Sequence, residues 1–284
     1  MYALLEHGGL AELVAPLLAS DADSQQLMKM ACLLAAAIHD YEHQGVNNDY
    51  LVKTRHAWAI RYNDQHVNEH HHVAHAFDLL LQPEHNFVEH LGDKEFRRLR
   101  GLVIDLVIAT DMADNTQFVK SLTSALSEHA AAAAATADDD GETKSPTFVP
   151  SSEKQAALVL RVAMKCADLG HLALEWDTHV TWVRCLEVEF FKQGDLELER
   201  GLSVSFLMDR HRPGASDTQV GFFDFVVLPL FRVLIQAVPL AEPFLDAASE
   251  NYRRWKELDE AKKAAQALEE ESKTPAQPSK DSTA

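Results

Sequence analysis

Residues 35–48 read Ala-Ala-Ala-Ile-His-Asp-Tyr-Glu-His-Gln-Gly-Val-Asn-Asn. His39, Asp40 and His43 therefore follow directly on an apolar run. This run, from Met30 to Ile38, contains no charged residue, glycine or proline, so it predicts a buried helix that delivers its last side chains into the interior. Ionisable groups are costly in such a place unless they bind something. A metal ion is the simplest partner.

A second helix repeats this design further along the chain. Residues 156–167 predict a buried helix that ends at Asp168, so a second helix end presents a carboxylate. If the two ends converge, His39, Asp40 and Asp168 supply ligands that either Zn²⁺ or Mg²⁺ and Mn²⁺ accept. Adjacent His and Asp are a weak signal alone, and a buried ion pair or a helix cap is the alternative.

Charge and composition argue against two classes of partner. The 284 residues are 46% hydrophobic, which is enough for a substantial core, and they carry 44 acidic and 26 basic side chains. The net charge of −18 repels nucleic acid and anionic lipid, so we expect neither as a partner. A small anionic substrate must be attracted locally by bound cations.

Cysteine usage and hydropathy indicate the compartment. Cys32, Cys166 and Cys185 are isolated from one another, so they predict neither a disulfide framework nor a zinc ribbon. No uninterrupted apolar run approaches the ~20 residues that span a bilayer, and the first residues lack a signal-peptide pattern. We therefore expect a cytoplasmic protein with no membrane span.

Helical periodicity dominates the chain. Apolar residues recur at spacings of three and four and alternating runs are scarce, so the predicted fold class is all-α. Residues 1–255 are expected to form one compact multi-helix domain. Within it, residues 130–152 predict a frayed helix end and a flexible insertion. Residues 256–284 predict a charged helix end, to about Glu271, followed by a disordered tail.

Histidines are concentrated in one part of the sequence. Ten of the fifteen fall between His39 and His90. Five of these ten stand singly beside polar residues, and we expect surface or capping roles for them: His56, His66, His75, His85 and His90.

Several separate motifs occur in a fixed order. They are residues 35–48, Glu69 with His71-His72, Ala-Thr-Asp-Met at 109–112, Lys-Cys-Ala-Asp-Leu-Gly-His at 165–171, Glu-Phe-Phe-Lys-Gln-Gly-Asp at 189–195, Thr-Gln-Val-Gly-Phe-Phe-Asp-Phe at 218–225 and Pro-Leu-Phe at 229–231. In these motifs the chain resembles the class I cyclic nucleotide phosphodiesterases, whose catalytic domain is a compact all-helical relative of the His-Asp metal hydrolases. The 39–43 segment is most similar to the calmodulin-stimulated, dual-specificity branch, although one short segment does not decide a subfamily.

The resemblance implies a site for two divalent metal ions, with Zn²⁺ first and Mg²⁺ or Mn²⁺ second. His39, Asp40 and Asp168 match three ligands of the first metal, and Asp40 matches the carboxylate that bridges to the second. His43 matches the histidine beside the bridging hydroxide and the phosphate, which makes it the catalytic candidate. Three side chains are expected to support these groups: His71, His72 and Asp111.

The resemblance also implies a substrate, a small-molecule 3′,5′-cyclic nucleotide that is hydrolysed to the 5′-monophosphate when a signal is terminated. Gln219 matches the glutamine that hydrogen-bonds the purine edge, and its amide can serve adenine or guanine. Phe222 and Leu186 match the residues on the two faces of the base, and His171 lies near the purine. Without the resemblance, Phe222 and Leu186 would be assigned to core packing.

One family motif has no counterpart in the sequence. The pattern His-Asn-x-x-His-Ala-x-Asp supplies the proton donor and the fourth ligand of the first metal, and it does not occur here. We expect an N-terminally truncated catalytic domain whose first helices are missing, with reduced or absent activity. The exposed apolar surface would favour a partner, either a homodimer or a regulatory subunit. His70, where the family usually has Asn, is a second departure.

Two other functions stay open on the sequence. The chain is alternatively a catalytically silent nucleotide-binding or regulatory module. A general His-Asp phosphohydrolase that acts on other nucleotides is the third candidate, and it would leave Gln219 and Phe222 without a role.

Overall fold

The computed structural model describes residues 1–19, 21–136 and 147–273, and all regular elements in these ranges are helical. The all-α prediction is confirmed. The α-helices are α1 (Tyr2–Glu6), α2 (Leu10–Leu18), α3 (Ala22–Ile38), α4 (Asn48–Lys53), α5 (Ala57–Arg61), α6 (Val67–Leu80), α7 (Asp93–Ile108), α8 (Asn115–Thr136), α9 (Glu153–Asp168), α10 (Trp176–Glu199), α11 (Gln219–Phe222), α12 (Leu228–Ala237) and α13 (Glu242–Lys273). A π-helical turn (Phe223–Val227) joins α11 to α12.

Helix α3 carries the first predicted metal ligands at its end. It begins at Ala22 and is capped by Asp21, whose carboxylate accepts a hydrogen bond from the Ser24 amide at 2.8 Å. Leu33 is 39% exposed and Ala37 is exposed, so the prediction of a buried helix is wrong for this face. The reason is that α3 packs mainly against α7 through one stripe, and the opposite face points outward. The buried stripe consists of Met28, Ala31, Cys32 and Ala35.

Helix α9 lies inside the main core. It packs against α2, α3, α7, α8 and α12, and it is buried on more than one face. The Ser152 hydroxyl caps its N-terminus by accepting from the Gln155 amide at 3.3 Å. The helix ends at Asp168 as predicted, and it begins three residues before the predicted start, at Glu153. Because α3 and α9 pack together, their ends lie near each other.

Lys165 joins α9 to the end of α7. Its side chain is buried, and its Nζ donates to the carbonyl oxygens of Ala109, Thr110 and Asp111 at 3.2, 3.3 and 2.8 Å. Carbonyl groups at a helix C-terminus lack intrahelical partners, and a cation there is favourable. Burial lowers the pKa of Lys165. This lysine therefore fixes the segment that carries Asp111.

Gly194 in α10 permits close contact with the loop that follows this helix. A Cβ at this position would lie 1.9 Å from the Met208 carbonyl oxygen, whereas a Cβ at Gly101 in α7 would meet no described residue within 4 Å apart from its own chain neighbours and helix backbone. We expect Gly194→Ala to lower the free energy of unfolding by about 2 kcal/mol through overpacking. Gly101→Ala should raise it by roughly 0.5–1 kcal/mol, because alanine favours helix. Urea denaturation measures both, and a Gly194→Ala variant with an undiminished free energy of unfolding would contradict the close contact.

The chain-end and insertion predictions fall partly on residues that the structure describes. Helix α8 continues to Thr136, and residues 147–152 are not helical. The rest of the predicted insertion, residues 137–146, lies outside the described residues. Helix α13 ends at Lys273, close to the predicted Glu271, and the predicted tail after it lies outside the described residues. The division into a domain and a tail stays a prediction.

One apolar stretch in the described part of the chain is long enough to cross a membrane. Gln219–Ala237 has a mean hydropathy of 1.8, and 44% of it is buried inside the protein. Leu230, Phe231 and Leu234 of this stretch pack into the main core. A buried core helix has the same composition, so the stretch is weak support for a membrane span.

Candidate functional site

The ends of α3 and α9 bring three predicted metal ligands together. His39 Nε2 lies 3.0 Å from Asp168 Oδ1 and 3.2 Å from Asp40 Oδ2. One ligand atom from each residue lies within 4.8 Å of the other two. The side chains are 21%, 64% and 26% exposed for His39, Asp40 and Asp168, so the group borders solvent. The expectation of an interior position is therefore wrong, because the helices end at the wall of a cleft.

Hydrogen bonds control the charge of this triad, which consists of His39, Asp40 and Asp168. Burial opposes the charged imidazolium, yet hydrogen bonds to Asp168 and Asp40 raise the pKa of His39 to about 10. Burial likewise opposes the Asp40 carboxylate, but the same contact with His39 lowers the pKa of Asp40 overall. The other His39 nitrogen, Nδ1, lies 3.0 Å from the Ala36 carbonyl oxygen, which fixes the ring plane. A raised pKa favours the protonated form of the His39 ring between these two carboxylates near neutral pH.

This arrangement predicts the proton balance of metal binding. A ligand imidazole must offer a lone pair, so an ion at the triad should displace about one proton from His39 near neutral pH. Titration calorimetry in two buffers with different ionisation enthalpies measures this release. His39→Gln is the control and should release no such proton. If the metal-binding enthalpy of the unaltered chain is the same in both buffers, no proton is released. That result would contradict the ion-paired state of His39.

The triad opens into a cavity of about 690 Å³. Asp40 and Asp168 lie on its wall, together with His43 and Leu186, which were also predicted as site residues. The Gly45 amide donates to His43 Nδ1 at 3.0 Å. His43 therefore carries its ring proton on Nε2, where it can donate to a bound anion.

Glu69 and Asp111 form a second acidic group on the same cavity. The Asn48 amide donates to Glu69 Oε2 at 2.9 Å and to Asp111 Oδ2 at 3.3 Å, and burial raises the pKa of Glu69. His66 Nδ1 lies 2.8 Å from Asp111 Oδ2. The side chains of His66, Glu69 and Asp111 lie close enough together to hold one ion. The sequence assigned His66 to a surface or capping role and missed this contact, since its partner is 45 residues away.

His71 and His72, predicted as supporting residues, lie behind the cavity wall. His72 Nδ1 is 2.6 Å from the Tyr41 carbonyl oxygen, and its ring lies 5.6 Å from the His43 ring. Burial lowers the pKa of His72 to about 4 and also lowers the pKa of His71, so both rings are neutral near pH 7. His71 contacts Glu42 rather than the triad.

The four residues predicted to bind the purine are not placed together. Only Leu186 lines the cavity with the triad. Gln219 is buried, lines a separate cavity of about 420 Å³ between α10, α11 and α13, and donates from Nε2 to the Ala215 carbonyl at 2.9 Å. Phe222 packs against the main core, and His171 stacks on His179 with ring centroids 5.4 Å apart. The roles of all four stay predictions.

Two aromatic residues on the cavity wall were not predicted. Trp182 and Phe190 line it on either side of Leu186, at a spacing of four residues along α10. That spacing puts all three on one helix face, which is the sequence signal that could have identified them. Gln193, also on the wall, fastens α10 to the loop after α3, because its Oε1 accepts from the Asn47 amide at 2.8 Å.

Comparisons with known proteins identify the family of this chain. Residues 1–248 match the model of the family described as 3′5′-cyclic nucleotide phosphodiesterase. The dual specificity calcium/calmodulin-dependent 3′,5′-cyclic nucleotide phosphodiesterase 1 of Drosophila melanogaster is 38% identical over 210 residues, which are 74% of this chain and 23% of the relative. The human 1B protein of the same description is 36% identical over 233 residues, 80% of this chain and 39% of the relative. The chain thus spans less than half the length of these relatives.

A solved structure is also similar. The phosphodiesterase domain of the Salpingoeca rosetta rhodopsin phosphodiesterase superimposes with a TM-score of 0.76 at 28% sequence identity. The superposition covers 92% of this chain and 76% of that domain.

Proposed function

This chain belongs to the 3′5′-cyclic nucleotide phosphodiesterase family, and from that premise we propose that it hydrolyses cAMP, cGMP or both to the 5′-monophosphates in signal termination. The observation that carries the proposal is the convergence of His39, Asp40 and Asp168, of which Asp40 and Asp168 line the wall of a cavity large enough for a nucleotide. The negative charge of a phosphodiester has to be neutralised during nucleophilic attack, and this chain itself carries a net charge of −18. Bound cations are therefore the means by which an anionic substrate is attracted.

The donor set fits divalent metal ions. One imidazole and two carboxylates with ligand atoms within 4.8 Å of one another suit Zn²⁺, and the acidic pair Glu69 and Asp111 suits Mg²⁺ or Mn²⁺ held through water. We assign Zn²⁺ to the first site and Mg²⁺ or Mn²⁺ to the second. When bound, two such ions acidify a shared water and stabilise the charge of an in-line displacement.

The protein side chains position and neutralise the reactants. By the family resemblance Asp40 would be the carboxylate that serves both metal sites, and its contact with His39 and its position on the cavity wall are compatible with that role. His43 donates through its Nε2 proton to a phosphate oxygen. Leu186, Trp182 and Phe190 provide an apolar wall for the base.

Recognition of the purine is assigned to Gln219, Phe222 and His171. Gln219 Oε1 is buried without a hydrogen-bond partner in the described structure, so this oxygen is available to accept a hydrogen bond from a ligand. Contact with a base in the triad cavity requires Gln219 to release the Ala215 carbonyl and its side chain to leave the separate cavity that it lines.

Hydrolysis assays on the purified chain test the proposal. Incubation of cAMP and of cGMP with Zn²⁺ and Mg²⁺ or Mn²⁺ should yield the 5′-monophosphates, and chelation should stop the reaction. No turnover of either nucleotide, with metal shown to be bound at the triad, would overturn it.

A catalytically silent nucleotide-binding module is the second candidate. It is favoured by one observation, because the 284 residues contain no His-Asn-x-x-His-Ala-x-Asp motif to donate a proton to the leaving oxygen. Saturable binding of a fluorescent cyclic nucleotide without product would identify this case. The variant Gln219→Ala distinguishes these two candidates from a general phosphohydrolase. If the variant keeps the preference of the unaltered chain between cAMP and other nucleotides, Gln219 has no role in recognition and the general phosphohydrolase is supported.

We also propose a cytoplasmic location. Cys32, Cys166 and Cys185 are free thiols, as expected in a reducing compartment. Imaging of a tagged chain would test this, and a secreted or membrane-inserted product would contradict it.

A further inference from the structure

A second group of metal-binding donors lies apart from the triad. His71 Nε2 is 2.9 Å from Glu42 Oε2, and His75 Nδ1 is 3.4 Å from the same oxygen. One ligand atom from each of these three residues lies within 4.8 Å of the other two. None of the three belongs to the His39, Asp40 and Asp168 group.

The two histidines have the spacing of helical metal ligands. His71 and His75 are four residues apart on α6, so their side chains share one face on successive turns. Their ring centroids are 3.9 Å apart. A pair of histidines at this spacing can bind one zinc ion from a single helix. Glu42 approaches from the loop after α3, so an ion here would be held by two separate segments of the chain.

His71 is held in place for such a role. Its ring is buried and stacks on the Trp58 indole, with centroids 3.4 Å apart and an angle of 18° between the planes. Nδ1 of His71 has no hydrogen-bond partner in the described structure. Buried histidines that serve packing alone are usually satisfied at their polar atoms. Among residues 1–19, 21–136 and 147–273, this ring makes one hydrogen bond, to Glu42 inside the cluster.

The other two residues give access from solvent. The Glu42 side chain is 47% exposed and that of His75 is 32% exposed, so an ion can enter and a water can complete its coordination. Glu42 also has a φ of 62°, a left-handed conformation that is uncommon outside glycine. In the sequence Glu42 lies between Asp40 and His43, so its position affects the conformation of the loop that carries these two residues.

We propose that Glu42, His71 and His75 form an accessory Zn²⁺ site, which fastens the loop that carries Asp40 and His43 to helix α6. Two imidazoles and one carboxylate, with a water as fourth ligand, are a donor set that Zn²⁺ accepts. Mg²⁺ prefers oxygen ligands in octahedral geometry, so it should not compete here. The site uses none of the residues of the triad, so its zinc binding can be tested separately from hydrolysis.

Zinc stoichiometry tests the proposal directly. The chelator-stripped chain is titrated with Zn²⁺ against a chromophoric competitor, in the presence of excess Mg²⁺. His75→Gln should lose one equivalent of Zn²⁺, or bind that equivalent about 100-fold more weakly. His85→Gln, an exposed histidine outside the cluster, is the matched control and should bind as the unaltered chain does.

A second variant and a spectroscopic measurement distinguish loss of the zinc site from misfolding of the variant. Glu42→Gln alters a half-exposed loop side chain and should show the same loss as His75→Gln. Imidazole nitrogen resonances should shift on Zn²⁺ addition at Nε2 of His71 and Nδ1 of His75. Unchanged zinc number and affinity in a folded variant, or unshifted resonances at saturating Zn²⁺, would overturn the site while leaving the hydrolysis proposal intact.

Discussion

Asp168→Asn is expected to lower cyclic nucleotide hydrolysis by on the order of 10³-fold. A metal ion contributes several kcal/mol to charge stabilisation in such reactions, and each 1.36 kcal/mol is worth a factor of ten. The substitution keeps the shape of the side chain but removes the charge that faces His39 Nε2 at 3.0 Å. Product formation measured by chromatography, with metal content measured on the same sample, records the loss.

The control for this variant is Asp78→Asn. Asp78 is an exposed carboxylate on α6, so its loss should leave both metal content and turnover unchanged. If Asp168→Asn kept its bound metal and full turnover, Asp168 would not be a ligand of the reacting metal. If metal were lost but turnover stayed, catalysis would not depend on the triad.

Lys165→Met is expected to lower the free energy of unfolding by about 3 kcal/mol. The substitution removes the donor to three carbonyl oxygens after α7, and each buried unsatisfied group costs roughly 1–3 kcal/mol. Methionine fills a similar volume, so the loss would come from hydrogen bonding rather than from a cavity. Chemical denaturation followed by circular dichroism measures the change.

Lys120→Met provides the comparison. Lys120 is exposed on α8, so its replacement should change the free energy of unfolding by less than about 0.5 kcal/mol. A loss for Lys165→Met as small as that for Lys120→Met would show that the buried ammonium does not stabilise the segment of Asp111. Metal affinity of the folded Lys165→Met variant should also fall, because that segment carries Asp111.

The triad was predictable from sequence because its signals are local. A helix end followed by His39 and Asp40, and a second helix that ends at Asp168, can be identified in short windows, and the family motifs supplied their pairing. The burial of α3 was overestimated, because which face of a helix is covered depends on its neighbours and not on its own composition. Leu33, exposed on an apolar helix, is the clearest example.

Contacts between distant residues were beyond sequence reasoning. His66 was assigned to the surface, but it contacts Asp111 at 2.8 Å across 45 residues. Lys165 gave no sign of burial, because lysine is normally exposed and its three carbonyl partners lie in the distant segment that follows α7. Gln219 was matched to the purine by motif, and the structure places its side chain at a different cavity. The position of a residue in a sequence motif does not determine the orientation of its side chain.

Anomalous diffraction from crystals of the chain grown with Zn²⁺ tests the central claim most directly. The account predicts a zinc peak within bonding distance, about 2.0–2.2 Å, of His39 Nε2 and of a carboxylate oxygen of both Asp40 and Asp168. Zinc-containing crystals with no peak between these three side chains would contradict it.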